Sequence, residues 1–149
     1  MEKKLDATDI KIIELLQENA RTSLKEIADK VFLSPTSVST RMENLEKEGV
    51  ITGFYAKIDP IALGYYTKAF INLEVEPIQK KEFYPFIESC KNVVECNCVT
   101  GDYSMFMEVI FKTTMELDSF IGELQKFGKT KTQIVFSTSV EYRNIFFAE

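Results

Sequence analysis

Residues 23–49, SLKEIADKVFLSPTSVSTRMENLEKEG, leave the chain few options. Leu24, Ile27, Ala28 and Val31 fall at i, i+3, i+4 and i+7, one apolar stripe of a short helix. Ser23 stands before it and Glu26 three residues on, the pattern of a capping box. Phe32 and Leu33 close a turn. Ser34-Pro35 then opens a second helix, with a hydroxyl at the N-cap and a proline at the first helical position, where a missing N–H costs nothing. Val38, Met42 and Leu45 carry its stripe at i, i+4 and i+7, and Gly49 is placed to end it in a left-handed conformation.

The face opposite that second stripe carries Thr36, Ser37, Ser39, Thr40, Arg41 and Asn44, with no acid before Glu43. A helix that only has to be solvated usually carries Glu and Lys there. A helix that enters a major groove needs a slim N-terminal half and donors for base edges and phosphates. The reading is a helix-turn-helix whose partner is double-stranded DNA. The competing reading is an ordinary surface helix in a bundle.

Charge limits how such a head can work. The chain of 149 residues has a net charge of −5, which argues against coating nucleic acid by charge alone. Residues 1–60 hold nine Lys/Arg against eleven Asp/Glu. Between Asn19 and Met42, however, Arg21, Lys25, Lys30 and Arg41 face only Glu26 and Asp29. Affinity would have to come from positioned contacts and from two heads in a dimer.

Leu5 to Asn19 supplies the third helix that the pair needs for a core. Asp6 can cap it, Asp9 lies in its first turn, and Ile10, Ile13 and either Leu16 or Gln17 mark its buried side, widened by Ile12 and Leu15. Arg21 and Thr22 follow in a loop, where a guanidinium and a hydroxyl could hold a phosphate. After Gly49 the period changes. Residues 50–58 read as one or two short strands, either the wing of a winged helix or a strand between two domains. Asp59-Pro60 and Gly64 bracket an irregular segment. The expected division is residues 1–52 as DNA-binding head, 53–65 as linker strand and turn, and 66–149 as a second domain.

That second domain reads strand, helix, strand, strand, helix, strand. Tyr66–Glu76 alternates, Gln79–Cys90 is helical with Pro85 inside it, and Val93–Thr100 and Tyr103–Phe111 are strands joined by a Gly101-Asp102 turn. Met115–Phe127 is helical with Gly128 as its C-cap. Thr132–Tyr142 is the last strand, and 144–147 can add a short one. The order β-α-β-β-α-β is the ferredoxin-like arrangement, so the fold class is α+β. Two helices cover one face of such a sheet. Yet the third strand is apolar on both, with Tyr103, Met105, Met107, Val109 and Phe111 on one side and Phe106 and Ile110 on the other. A second copy of the sheet is the expected cover, hence a homodimer.

Other chemistry finds no residues. Histidine is absent, removing the commonest general base and metal ligand together. Cys96 and Cys98, on one strand face with Val94, read as packing, and Cys90 does not complete a tetrahedral metal site. Phosphate loops and nucleophile–base pairs are not found, so neither an enzyme, a metal nor a cofactor is expected. No apolar run approaches the roughly 18 residues needed to span a bilayer, and MEKKLDATD lacks the apolar core of a signal peptide. No membrane partner is expected, and a cytoplasmic location is the default.

A three-helix DNA-reading head followed by a ferredoxin-like body resembles the Lrp/AsnC (leucine-responsive, feast/famine) family of transcription factors. The resemblance rests on LDATDIKIIELLQENAR, LSPTSVSTRMENLEKEGVITGFYAKIDPIALG, VTGDYSMFMEVIF and TKTQIVFS, in that order, and covers nearly all the chain. It implies a RAM-type second domain that dimerises through its sheet, dimers that assemble further, commonly to octamers, and an amino-acid effector. It implies DNA contacts from the helix opened by Ser34, through Thr36, Ser37, Ser39, Thr40, Arg41 and Asn44, with Arg41 the main guanine or phosphate donor. It implies an effector pocket lined by Gly101, Asp102, Tyr103 and Ser104, completed by a neighbouring subunit near Thr130, Thr132, Gln133 and Ile134. Backbone N–H groups of a glycine turn can take a carboxylate, and Asp102 an α-ammonium. One departure stands out: many members have an acid where this chain has Ser104, which puts its ligand response in doubt.

The resulting expectation is a sequence-specific DNA-binding regulator whose assembly or DNA binding answers to a small effector, an amino acid by resemblance. The alternatives are a low-specificity architectural protein that bends DNA, and an amino-acid sensor subunit without strong DNA binding.

Overall fold

The structure is a computed structural model that describes residues 4–143 and Ile145. The described residues divide into two compact units, one running to Lys57 and the other Ile58–Glu141, with Tyr142, Arg143 and Ile145 grouped with the first.

The first unit is three helices. Helix α1 spans Ala7–Glu18, α2 Leu24–Val31 and α3 Pro35–Lys47. Each begins on a side-chain cap: Asp6 accepts from the Asp9 N–H, Ser23 from Glu26, and Ser34 from Ser37. In α1 and α2 the cap is reciprocal, the third-position carboxylate accepting the N-cap N–H in return. The predicted stripes meet in one core of Ile12, Ile13, Leu15, Leu16, Ile27, Ala28, Val38 and Leu45. A core of this size is small, as expected of a unit of about fifty residues. Leu24, read as part of the stripe, is exposed. It is the first residue of α2, where a side chain has no preceding turn to lie on. Phe32 ends α2 in the left-handed region, at φ 57°, and is 93% exposed. A bulky side chain holds that conformation at a cost of about 1–2 kcal/mol.

The strands expected over 50–58 are not formed in the described structure. The Val50 and Ile51 N–H groups both donate to the Leu45 carbonyl, closing the C-terminus of α3 after the left-handed Gly49 at φ 72°. Their donors are therefore committed to the helix end, and beyond them no strand lies alongside to complete a ladder. Neither the wing nor the linking strand is present. Phe54, Tyr55 and Ile58 stand exposed along the segment.

The second unit holds β1 (Thr67–Val75), α4 (Lys80–Ser89), β2 (Val93–Cys98), β3 (Met105–Phe111), α5 (Thr114–Leu124) and β4 (Gly128–Ile134). The sheet is antiparallel with order β2-β3-β1-β4, the ferredoxin-like arrangement. Alternation decides its faces. Ala69, Ile71, Leu73 and Val75 of β1 and Met105, Met107, Val109 and Phe111 of β3 are buried with Phe83 and Ile87 of α4 and Leu117, Phe120 and Leu124 of α5. The other face keeps Phe70, Phe106 and Ile110 half-covered, with the Phe70 and Phe106 rings stacked at 5.4 Å.

Several boundaries differ from the sequence reading, each for a local reason. Helix α5 starts on Thr113, which forms a capping box with Glu116, and ends at Leu124, short of Phe127. Gly128 is not its C-cap but the first residue of β4, opposite Val75. A Cβ there would collide with the Glu74 carbonyl, so glycine is needed for the close approach of two strands. The last strand accordingly runs Gly128–Ile134, not Thr132–Tyr142. The short strand expected over 144–147 lies outside the described residues except at Ile145, which is not in a strand. A register shift between Val93 and Glu95 puts Val93, rather than Val94, on the face of Cys96 and Cys98. Finally, Gly101-Asp102 is no two-residue turn, since β2 ends at Cys98 and β3 begins at Met105.

Candidate nucleic-acid interface and effector loop

Helix α3 presents a row at i, i+4 and i+8. Thr36, Thr40 and Asn44 lie along one line of the cylinder, Ser37 lies beside them, and all four are exposed. The N-terminus beneath them is well ordered by hydrogen bonds. Ser34 Oγ accepts the Ser37 N–H at 3.1 Å and shares a hydrogen bond with Ser37 Oγ at 2.8 Å. Thr40 Oγ1 donates to the Thr36 carbonyl at 3.1 Å, which leaves its lone pairs facing outward. Short side chains along this row let a duplex approach the helix backbone, as groove entry requires.

Two predicted residues lie off this row. Ser39 is half-buried on one flank, its hydroxyl 3.4 Å from Glu43 Oε1. Arg41 is half-buried on the other flank, and its Nη1 donates to Asp6 Oδ2 at 2.8 Å and Asp9 Oδ1 at 2.6 Å. The pairing raises the Arg41 pKa above its ordinary value through the hydrogen bonds to Asp6 and Asp9. The Asp6 carboxyl is held below its usual value, first by the Asp9 backbone N–H and then by Arg41. From the sequence, Asp6 reads only as a cap and Asp9 only as a first-turn acid. A contact 32 and 35 residues away in the chain has no local signal.

Arg21 is exposed in the loop after α1, with its backbone N–H donating to Asn19 Oδ1 at 3.0 Å. Thr22 is half-buried and its hydroxyl donates to the Asn19 carbonyl at 2.8 Å. Asn19 thus organises this loop, a role that Asn two residues ahead of a turn could have suggested. A depression of about 570 Å³ lies beside this row, its polar lining supplied by Lys4, Asp9, Ser37, Thr40, Arg41, Asn44 and Glu48.

In the second unit, Gly101 and Asp102 are exposed in a loop over residues 99–104, with Gly101 at φ 111°, and Tyr103 is half-buried. The loop is anchored by Ser104. Its hydroxyl accepts the Val75 N–H at 2.9 Å and donates to the Leu73 carbonyl at 3.3 Å, while its own N–H donates to Leu73 at 3.2 Å. An aspartate could accept from Val75 but could not donate to Leu73. Leu73 pairs with Met105 on one side and Thr130 on the other, so the loop and the start of β4 flank the same end of β1. Two strand spacings separate them, about 10 Å. The β4 residues divide by face: Thr130, Thr132 and Ile134 share the helix side, and Gln133 lies opposite, accepting from Asn72 Nδ2 at 3.3 Å. Within one chain they do not converge with the loop on a single pocket. Among the described residues no group of His, Cys, Asp or Glu could hold a metal ion, and no helix is long and apolar enough to cross a membrane.

A family model described as winged helix-turn-helix DNA-binding matches residues 5–52, and one described as the Lrp/AsnC ligand binding domain matches residues 68–145. The HTH-type transcriptional regulator FL11 of Pyrococcus horikoshii is 36% identical over 140 residues, covering 92% of this chain and 93% of its own. The chain belongs to the Lrp/AsnC family of transcriptional regulators. Among solved structures, E. coli AsnC superposes with a TM-score of 0.87 at 28% identity, covering 96% of this chain and 99% of its own. A feast or famine regulatory protein from Mycobacterium tuberculosis complexed with L-methionine superposes with a TM-score of 0.88 at 26% identity, covering 95% of this chain and 99% of its own. The family accounts for both units: the three-helix head is its DNA-binding module, and the four-stranded body is its ligand-binding domain.

Proposed function

We propose that this regulator reads operator DNA with the outer row of α3 and that its assembly or DNA binding answers to an amino acid. The row of Thr36, Ser37, Thr40 and Asn44 carries the DNA side of the proposal: short donors and acceptors, no acid among them, on a helix start fixed by its own cap. Arg21 and Thr22 contribute phosphate contacts from the loop before α2. The amino-acid class is supported by the ligand-binding family of the body and by the relative complexed with L-methionine. The exposed Asp102 and the backbone of the Gly101 turn are suited to a zwitterion.

The unit acts as a dimer built on the open sheet face. Phe70, Phe106 and Ile110 supply its apolar contacts, and the Lys68–Glu108 ion pair at 2.9 Å lies among them, Glu108 opposite Phe70 and Lys68 opposite Ile110. A second copy covers such a face symmetrically, and dimers assemble further toward octamers.

The test is mass by light scattering at micromolar concentration, without and with each of the twenty amino acids, followed by footprinting on the chain's own promoter region. The proposal expects a dimer or larger assembly, a change of mass or footprint with particular amino acids, and bounded protection. A monomer would refute the interface, and a footprint uniform over unrelated DNA would refute sequence-specific reading. Indifference to all twenty amino acids would refute the effector class.

A further inference from the structure

Arg41 is the one cation on the polar side of α3 before its last turn, and residue type alone nominates it as the principal DNA donor. Its surroundings argue otherwise. Asp6 and Asp9 form a reciprocal cap on α1, and each spends one oxygen on it: Asp6 Oδ1 accepts the Asp9 N–H at 2.8 Å, and Asp9 Oδ2 accepts the Asp6 N–H at 3.3 Å. The remaining oxygens, Asp6 Oδ2 and Asp9 Oδ1, both accept from Arg41 Nη1, at 2.8 and 2.6 Å. Both hydrogens of Nη1 are thereby used, and the guanidinium is fixed in plane by two charge-assisted bonds.

We infer that Arg41 is a positioning residue for DNA reading rather than a reader: it clamps α3 to the capped start of α1, which fixes how the row of Thr36, Thr40 and Asn44 is turned. This rests on the proposed reading of DNA by α3. While the clamp holds, Nη1 has no hydrogen left for a base edge, and only Nη2 and Nε remain to Arg41 as donors. To offer Nη1 as well, Arg41 would have to leave both carboxylates and uncover two negative charges, one of them Asp9 in the lining of the depression beside the row. That loss opposes binding. Held in place, Arg41 neutralises those acids and determines the helix's rotation about its own axis.

The test is a four-member cycle on the full chain: wild type, Arg41→Ala, Asp6→Asn with Asp9→Asn, and all three together. Asparagine keeps an oxygen for each cap and removes the charge. Affinity is measured for promoter DNA and for random duplex, over a salt series, at a temperature where circular dichroism shows each variant folded. A clamp predicts that Arg41→Ala and the Asn pair each lower the promoter-to-random preference about tenfold or more. It also predicts that the triple variant is no worse than the poorer of the two, and that the slope of log K against log salt for Arg41→Ala matches the wild type. A purely structural residue would change the melting temperature and leave that preference unmoved in the folded variants, which would overturn the inference. So would a gain in affinity on freeing Arg41 with the Asn pair, additive losses in the triple variant, or a fall of about 0.9 in salt slope for Arg41→Ala, the loss of one phosphate contact. Where Arg41→Ala does not fold, Arg41→Lys takes its place, since its ammonium keeps the charge but lacks the fixed plane of the guanidinium. A wild type with no preference for its promoter refutes the DNA reading itself. Preference in the wild type with additive variants refutes the clamp alone.

Discussion

Ser104→Ala is the most direct probe of the loop over residues 99–104. Two hydrogen bonds leave with the hydroxyl, but their consequences differ. The Leu73 carbonyl keeps the Ser104 N–H at 3.2 Å and stays satisfied. The Val75 N–H, 2.9 Å from Ser104 Oγ, loses its acceptor on a residue that is only 4% exposed. An orphaned buried donor costs about 1–3 kcal/mol, and the longer bond to Leu73 adds little. A loss of about 1.5 kcal/mol corresponds to a drop of roughly 6–12 °C for a unit of this size. Differential scanning calorimetry at one fixed protein concentration reads it, because assembly would otherwise shift the transition. Ser104→Thr is the control, keeping the hydroxyl and expected within about 0.5 kcal/mol of wild type. A Ser104→Ala protein that melts within about 2 °C of wild type would refute the assignment of Ser104 as the loop's anchor.

Three further outcomes follow from the same geometry. Gly128→Ala should destabilise the body by more than about 2 kcal/mol, because a Cβ there meets the Glu74 carbonyl across paired strands; urea denaturation with an unchanged midpoint would contradict this. Phe106→Asp should leave the fold and abolish the dimer, read as mass by light scattering. In the head, Asp6 and Glu26 have carboxyls held below their ordinary values, Asp6 first by the Asp9 N–H and Glu26 first by the Ser23 N–H. A depressed folded pKa stabilises the fold above the unfolded value and loses that contribution as pH falls through the folded one. The head should therefore lose stability below about pH 4.5, Glu26's ordinary value, and below 3.8 for Asp6. Asp6→Asn with Glu26→Gln should flatten the acid limb of a melting-temperature series from pH 3 to 6.

What could be read in the residues divides by range. Caps are local, and Ser23, Ser34 and Asp6 stand where their chemistry put them; Thr113 with Glu116 has the same spacing and could have been read likewise. Alternation in β1 and β3 is equally local and fixed both faces of the sheet. Other features turn on a partner distant in sequence. Gly128 looks like a helix stop until Glu74 is beside it. Gly101-Asp102 looks like a tight turn until Ser104 is tied to Leu73 and Val75. Arg41 reads as a donor for DNA, and nothing near it in the sequence signals that Asp6 and Asp9 accept from it.

The commitment of Arg41 also changes the electrostatic argument for assembly. Between Asn19 and Met42 the sequence offers Arg21, Lys25, Lys30 and Arg41 against Glu26 and Asp29. With Arg41 neutralised by α1, that excess falls from two to one, in a chain whose net charge is −5. Each phosphate neutralised contributes its own increment to a salt-dependent affinity, so a head with so little surplus charge binds weakly by itself. Two heads on one dimer turn the second encounter into an intramolecular one and can multiply affinity by about 10²–10⁴ without a new contact. In the proposed dimer, the open face of Phe70, Phe106 and Ile110 then serves DNA binding as well as assembly. On that argument Phe106→Asp should weaken promoter binding by about two orders of magnitude while leaving α3 untouched. A monomeric variant that binds its promoter as tightly as the wild type would show that a single head suffices.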